Sequence, residues 1–117
     1  MKPSARNPIL YLEDIDVSMN RVGEYIKHLD YLQFTRDYKT VDAVVRNFEI
    51  IGEASKNLPK SIKDRHPNIP WEEMYRLRNR IAHEYFGIDH EILWDIASNH
   101  LPKNHLDLQA VLASEKK

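Results

Sequence analysis

The segment from Trp71 to Tyr85, WEEMYRLRNRIAHEY, holds an arginine and a histidine five positions apart, Arg78 and His83. As residue types these suit phosphoryl chemistry. A guanidinium stabilises charge on phosphoryl oxygens, and an imidazole exchanges protons near neutral pH. Together they are the parts needed to cleave an RNA phosphodiester without a metal. The histidine takes the 2′-hydroxyl proton or protonates the leaving oxygen, and the arginine stabilises the transition-state phosphoryl oxygens. On one helix, however, five residues separate the pair by about 7.5 Å along the axis and about 140° around it. They do not converge on a single atom within one chain. A second copy of the helix across a two-fold axis brings them to a shared cleft, with Ala82, Tyr75 and Asn79 in the sector between.

The same helix breaks its own hydrophobic pattern. At about 100° per residue, with Ile81 at zero, Leu77 falls near −40°, Met74 near 20°, Tyr85 near 40° and Trp71 near 80°. Those residues define the core-facing sector, and Arg78 lands inside it, near 60°. Asn79, His83 and Arg76 lie on the polar side. A guanidinium stripped of water needs a partner. Arg78 therefore pairs with Glu49, Glu53 or another acid of the preceding long helix, snorkels along its stem to solvent, or lines a groove as a phosphate-binding arginine. Gly52 and Glu53 each carry two readings. Gly52 marks a close helix crossing, and Glu53 makes a salt bridge or cap, or else orients Arg78. The chain has six histidines (His28, His66, His83, His90, His100 and His105), and none shows the His-x3-His spacing of a zinc helix. No metal site and no cofactor are expected.

Local charge agrees with a nucleic-acid groove on a nearly neutral protein. Between Lys56 and Arg80 stand seven bases (Lys56, Lys60, Lys63, Arg65, Arg76, Arg78, Arg80) against three acids (Asp64, Glu72, Glu73). Between Ile9 and Phe34 stand five acids against two bases. The net charge of −1 excludes a globally basic nucleic-acid binder but not a local patch. Ordinary scatter of charge over solvated faces is the other reading. Arg76 and Arg80 are the candidate RNA-binding residues beside the pair.

The elements that must position these groups read as helices. The chain's 117 residues suit one domain, taken as 1–117. Its composition is that of a globular protein, and the absence of cysteine excludes disulfides, thiolate metal sites and a thiol nucleophile. No apolar run is long enough for a membrane span, and MKPSARNP has no signal-peptide core, so the cytoplasm is the expected compartment. Leu12, Ile15, Met19, Val22, Ile26 and Leu29 step by 3 and 4 along a first helix from about Pro8 to Leu32. Gln33 to Lys39 reads as a loop, and Thr40 caps a second helix running to about Leu58. Pro59 to His66 forms a short helix. The motif helix spans Pro70 to about Phe86, with Gly87 as its C-cap. Another helix starts at the N-cap Asp89, Pro102 kinks or interrupts it, and Leu106 to Leu112 closes the fold. No segment alternates with period two. The fold class is all-α, an up-and-down bundle of four to five helices.

At RNRIAHEY, Arg78 to Tyr85, the chain resembles the R-x4-H-x-Y signature of HepT-like proteins, a branch of the HEPN domain superfamily. EIIGEASKNL (Glu49 to Leu58), IPW (Ile69 to Trp71) and YFGIDHEILWDIASNHLP (Tyr85 to Pro102) extend the resemblance over nearly the whole chain. The resemblance implies a helical bundle that forms a homodimer through its motif helices. It implies a metal-independent ribonuclease toxin, with Arg78 and His83 catalytic and Asn79 orienting the site. It further implies a cognate antitoxin, a nucleotidyltransferase that transfers AMP from ATP to the motif tyrosine, here Tyr85. AMP there adds negative charge and bulk beside the pair and blocks RNA. The alternative is a non-catalytic helical dimer that serves a nucleotidyltransferase as binding partner or substrate.

Overall fold

The computed structural model describes residues 6–84 and 87–117, and all regular structure among them is helical. Four long helices form the bundle: α1 (Pro8–Ile26), α3 (Tyr38–Asn57), α5 (Trp71–His83) and α7 (Leu101–Glu115). Three six-residue helices join them: α2 (Tyr31–Arg36), α4 (Lys60–Arg65) and α6 (His90–Asp95). Across the bundle α5 packs on α3, α3 on α1, and α1 on α7. The motif helix is therefore an edge element that rests chiefly on one neighbour.

The expected seam is the core. Leu12, Ile15, Met19, Val22 and Ile26 of α1 are buried against Val41, Val44, Phe48 and Ile51 of α3 and Leu108 and Val111 of α7. Leu29 is only half-buried, because α1 ends at Ile26 rather than at Leu32. The cause is local. Asp30 and Gln33 form a capping box, with the Gln33 amide donating to Asp30 Oδ1 at 2.8 Å and the Asp30 amide donating to Gln33 Oε1 at 2.9 Å. That box starts α2 inside the segment expected to be a loop, and places Phe34 in the core. Asp37, not Thr40, caps α3. The Thr40 amide and hydroxyl donate to its two carboxylate oxygens at 3.1 and 2.7 Å.

The helix expected between Pro59 and His66 is α4, and Asp89 caps α6 through the Glu91 amide at 2.8 Å. The motif helix stops at His83, short of Phe86, with Glu84 already in extended backbone. Gly87 has a φ of 87°, which only glycine adopts without strain, but it lies beyond the helix end rather than capping it directly. Pro102 interrupts the α-helix, as expected, without ending the helical rod. It sits in the first turn of α7, directly after a π-helical turn over Ile96–His100. Proline has no N–H, and its ring crowds the carbonyl four residues back, so the turn before it widens until the Leu101 amide reaches the Ile96 carbonyl.

A polar tie fastens the end of α7 to the connection that leads into α5. Glu115 accepts from Arg65 Nη2 at 2.6 Å and lies 2.7 Å from His66 Nε2, while the Trp71 indole donates to the His66 carbonyl at 3.0 Å. Hydrogen bonds from Arg65 and then His66 hold the Glu115 carboxyl down to about 2, from an ordinary 4.5. A depressed carboxylate stabilises the fold above its unfolded value and loses that contribution as pH falls from about 4.5 towards 2. After discounting for solvent screening, Glu115→Gln should cost about 1–2 kcal/mol at pH 7 and nothing below pH ~2. Thermal melts of both proteins at pH 7 and pH 3 check this. Equal losses at the two pH values would contradict it.

Candidate functional site

The site residues ride on α5, and its two ends are chemically suited to a helix. Glu72 and Glu73 occupy the first turn and Arg80 and His83 the last, each matching the helix dipole. The buried Ile69 and Trp71 anchor the start. Beyond Trp71, the apolar residues Met74, Leu77 and Ile81 are only partly buried against the core, as an edge helix requires.

Gly52 sets the distance between α3 and α5. A methyl group built on it would collide with the Cβ of Arg78 and stand 2.7 Å from the Met74 carbonyl oxygen. The close crossing expected at this glycine is thus made on Arg78 itself. Side chains at that crossing would push the two helices apart.

From this crossing Arg78 reaches an acid of α3. Its Nη2 lies 3.1 Å from Glu53 Oε2, and its Nη1 donates to Asn79 Oδ1 at 3.1 Å. Glu53 Oε2 is sealed from solvent and has no hydrogen-bond partner among the described residues, so the pair is held by charge rather than by an aligned hydrogen bond. The Arg78 side chain remains 34% exposed. It opens on a depression of about 360 Å³ shared with Arg46, Glu49, Glu53 and Asn57 of α3 and with Arg6 and Asp14 beside it. Of the alternatives open in the sequence, Arg78 takes three together: it pairs with an acid of α3, keeps contact with solvent and lines a cleft.

His83 is the last residue of α5 and is exposed. It makes no hydrogen bond or ion pair among the described residues. Both it and Arg78 lie in one uninterrupted α-helix, so about 7.5 Å of rise and about 140° of turn separate them within the chain. Asn79 joins Arg78; His83 does not. Arg76 and Arg80 are engaged in exposed ion pairs one turn along, with Glu72 and Glu84, each at 2.7 Å. Tyr85 lies outside the described residues.

One connection has no signal in the sequence. A hydrogen bond with Asn79, then the nearby Lys56 charge, lowers the Tyr75 hydroxyl below the ordinary phenol range. The Lys56 ammonium sits 5.6 Å from the Tyr75 ring centroid. Lys56 and Tyr75 on one side and Asn79, Arg78 and Glu53 on the other thus line the α3–α5 seam as two adjoining polar groups. Helical spacing puts Tyr75 beside Asn79, but only the fold brings Lys56 to it.

Among the described residues no three metal-binding side chains cluster, and no helix is long and apolar enough to cross a membrane.

Comparison with known proteins agrees with these motifs. The family model described as Ribonuclease HepT-like matches residues 15–111. The Probable ribonuclease HepT of Thermococcus cleftensis is 45% identical over 92 residues, covering 79% of this chain and 84% of that protein. The protein named Putative RNase MJ0127 of Methanocaldococcus jannaschii is 38% identical over 102 residues, 87% of this chain and 84% of its own. The Putative RNase TTE0752 of Caldanaerobacter subterraneus is 35% identical over 111 residues, 95% of this chain and 99% of its own. No solved structure matches the chain. With the family model spanning the motif helix and most of the bundle around it, the chain belongs to the HepT-like ribonuclease family.

Proposed function

We propose that this protein is a metal-independent endoribonuclease toxin that acts as a homodimer, with Arg78 and His83 as its catalytic pair. The observation that carries the proposal is the placement of Arg78. A cation fixed at a close helix crossing, paired to Glu53 and Asn79 yet open to a cleft, is poised for a phosphate. In the cleavage step an imidazole removes the proton of the RNA 2′-hydroxyl, and that oxygen attacks the adjacent phosphorus. The bond from phosphorus to the 5′-oxygen breaks, and the leaving oxygen takes up a proton. The products are a 2′,3′-cyclic phosphate and a 5′-hydroxyl. Because the nucleophile belongs to the substrate, the step requires no metal-bound water.

His83 and Arg78 of one chain diverge around α5, and the motif helix lies at the edge of the bundle with its apolar residues incompletely covered. A two-fold partner on that edge supplies the missing half of the site. Asn79 steadies the Arg78 guanidinium. Arg80 reaches an RNA phosphate by exchanging its exposed partner Glu84, since such surface pairs hold by only about 0–1 kcal/mol, and Arg76 turns its remaining N–H groups to a phosphate while it keeps Glu72. The protein works in the cytoplasm, where a cognate nucleotidyltransferase antitoxin silences it. The Tyr85 oxygen attacks the α-phosphorus of ATP, pyrophosphate leaves, and AMP stays on the tyrosine.

Two measurements test the reading. Purified protein should cut RNA in the presence of EDTA and leave 2′,3′-cyclic phosphate ends. After incubation with the nucleotidyltransferase and ATP, mass spectrometry should find AMP on Tyr85 and cleavage should cease. Tight binding of the partner with no cleavage by the free protein would favour a non-catalytic dimer instead, and an unmodified Tyr85 would remove the silencing step.

A further inference from the structure

A hollow larger than the cleft at Arg78 lies elsewhere among the described residues. About 610 Å³ of open recess lies between the end of α3, α4 and the first half of α5, floored by Pro67 to Trp71. Its charged lining includes Lys56, Lys60, Lys63, Asp64, Glu72 and Glu73. Counted by residue type the recess is neutral, but the pairings change its character. Lys60 is tied to Asp64 at 2.7 Å and Glu72 to Arg76 at 2.7 Å. Lys56 and Lys63 form no ion pair among the described residues, and Glu73 is the one other carboxylate of the lining.

The recess also leads somewhere. Tyr75 forms its α5 wall beneath the Lys56 ammonium, and Asn79, one turn further, holds the Arg78 guanidinium. Tyr75 and Arg78 are three residues apart, about 4.5 Å along the helix axis. A basic trough with an aromatic wall that ends one turn from a phosphate-binding arginine is the arrangement by which proteins track a single-stranded backbone. The recess is too small for a duplex, and it takes a nucleotide or two of a single strand.

We infer that this recess binds the single-stranded RNA that flanks the cleaved phosphate, with Lys56 and Lys63 pairing with successive phosphates and the Tyr75 hydroxyl donating a hydrogen bond to the same backbone. The inference rests on the ribonuclease reading above and adds to it the path of the substrate strand.

The test uses the full chain and a fluorescent 2′-O-methyl oligoribonucleotide, which binds but lacks the 2′-hydroxyl needed for cleavage. Anisotropy titrations over a range of salt compare wild type with Lys56→Ala/Lys63→Ala, Tyr75→Phe and Lys103→Ala. Lys103 is paired with Asp107 on α7 and does not line the recess. The double variant should bind about tenfold more weakly, and its log–log salt dependence should flatten by about 1.4, about 0.7 for each phosphate of a single strand that no longer meets a lysine. Tyr75→Phe should lose affinity by about two- to fivefold, the worth of one hydrogen bond. Lys103→Ala should match wild type. If wild type cleaves ordinary RNA while the double variant keeps wild-type affinity and salt slope, the path is wrong and the ribonuclease reading stands. If wild type neither binds nor cleaves RNA, both fall together.

Discussion

His83→Ala should lower RNA cleavage by about 10²–10⁴-fold, the range lost when a positioned proton-transfer group is removed. Arg78→Ala should cost about 10²–10³-fold through loss of charge stabilisation at the phosphoryl oxygens. Arg78→Lys should not restore activity, because a point charge cannot satisfy Glu53, Asn79 and a phosphate at once as a planar fork does. Initial rates on a labelled RNA, with EDTA present, provide the readout. The exposure of His83 at the helix end makes its variant a fair probe, since little packing is lost with the ring. Mixing the two inactive variants then separates a shared site from a private one. If Arg78 of one chain works with His83 of its partner, a heterodimer keeps one intact site, and an exchanged mixture should regain about a quarter of wild-type activity. A mixture that stays inactive would contradict the composite arrangement.

The second large effect is expected at a residue with no side chain. Gly52→Ala places a methyl group against the Cβ of Arg78 and 2.7 Å from the Met74 carbonyl. Both obstacles are helix backbone or the root of a side chain, so neither can swing away. Overpacking of this kind costs about 1–3 kcal/mol, which for a domain of this size is a fall in Tm of roughly 5–15 °C. Activity should fall further than stability predicts, because the displaced helix carries Arg78 away from Glu53. Gly23→Ala is the matched control. It too lies inside a long helix, but nothing stands within 4 Å of its added methyl, and the change should be neutral or stabilising by up to about 1 kcal/mol. Thermal melts of the two variants, with cleavage rates below the transition, decide the matter. Equal Tm values for both would refute the close-crossing account.

Gly52 and Arg78 also show how far the sequence can be read. A glycine in the middle of a good helix is an anomaly that close packing resolves, and an arginine in an apolar sector is an anomaly that a half-exposed acid of the neighbouring helix resolves. Each signal is visible alone. That the two anomalies meet at one point is not, because the rotation of α3 against α5 is set by packing across the bundle rather than by either helix. For the same reason periodicity offers Glu49 and Glu53 alike, and only the crossing selects Glu53. Periodicity also overruns the first helix, because Leu29 continues its seam in perfect step. The D-x-x-Q signal at Asp30 and Gln33 ends it nonetheless, since a capping box satisfies backbone groups that periodicity does not count. Thr40 has the type of a cap but serves the acid three residues before it. The isolation of His83 from Arg78 follows from spacing alone, and helix geometry leaves nothing further to learn within one chain.

The wide turn at Ile96–His100 bears on which lengths of chain this fold can accept. Leu93, Ala97 and Leu101, all buried, recur every fourth residue. In an unbroken α-helix each such step would carry the stripe about 40° sideways, so Leu101 would begin to roll off the core before α7 had started. The π turn takes back that drift and delivers Leu108 and Val111 to the same interior. The α6–α7 rod is therefore phased like a vernier, with one surplus residue absorbed at a fixed place. Removing one residue within Ile96–His100 should therefore leave a regular α-helix with Leu93 and Leu101 within about 20° of one stripe and α7 still facing α1, whereas a deletion inside α7 ahead of Leu108 would turn Leu108 and Val111 off the core.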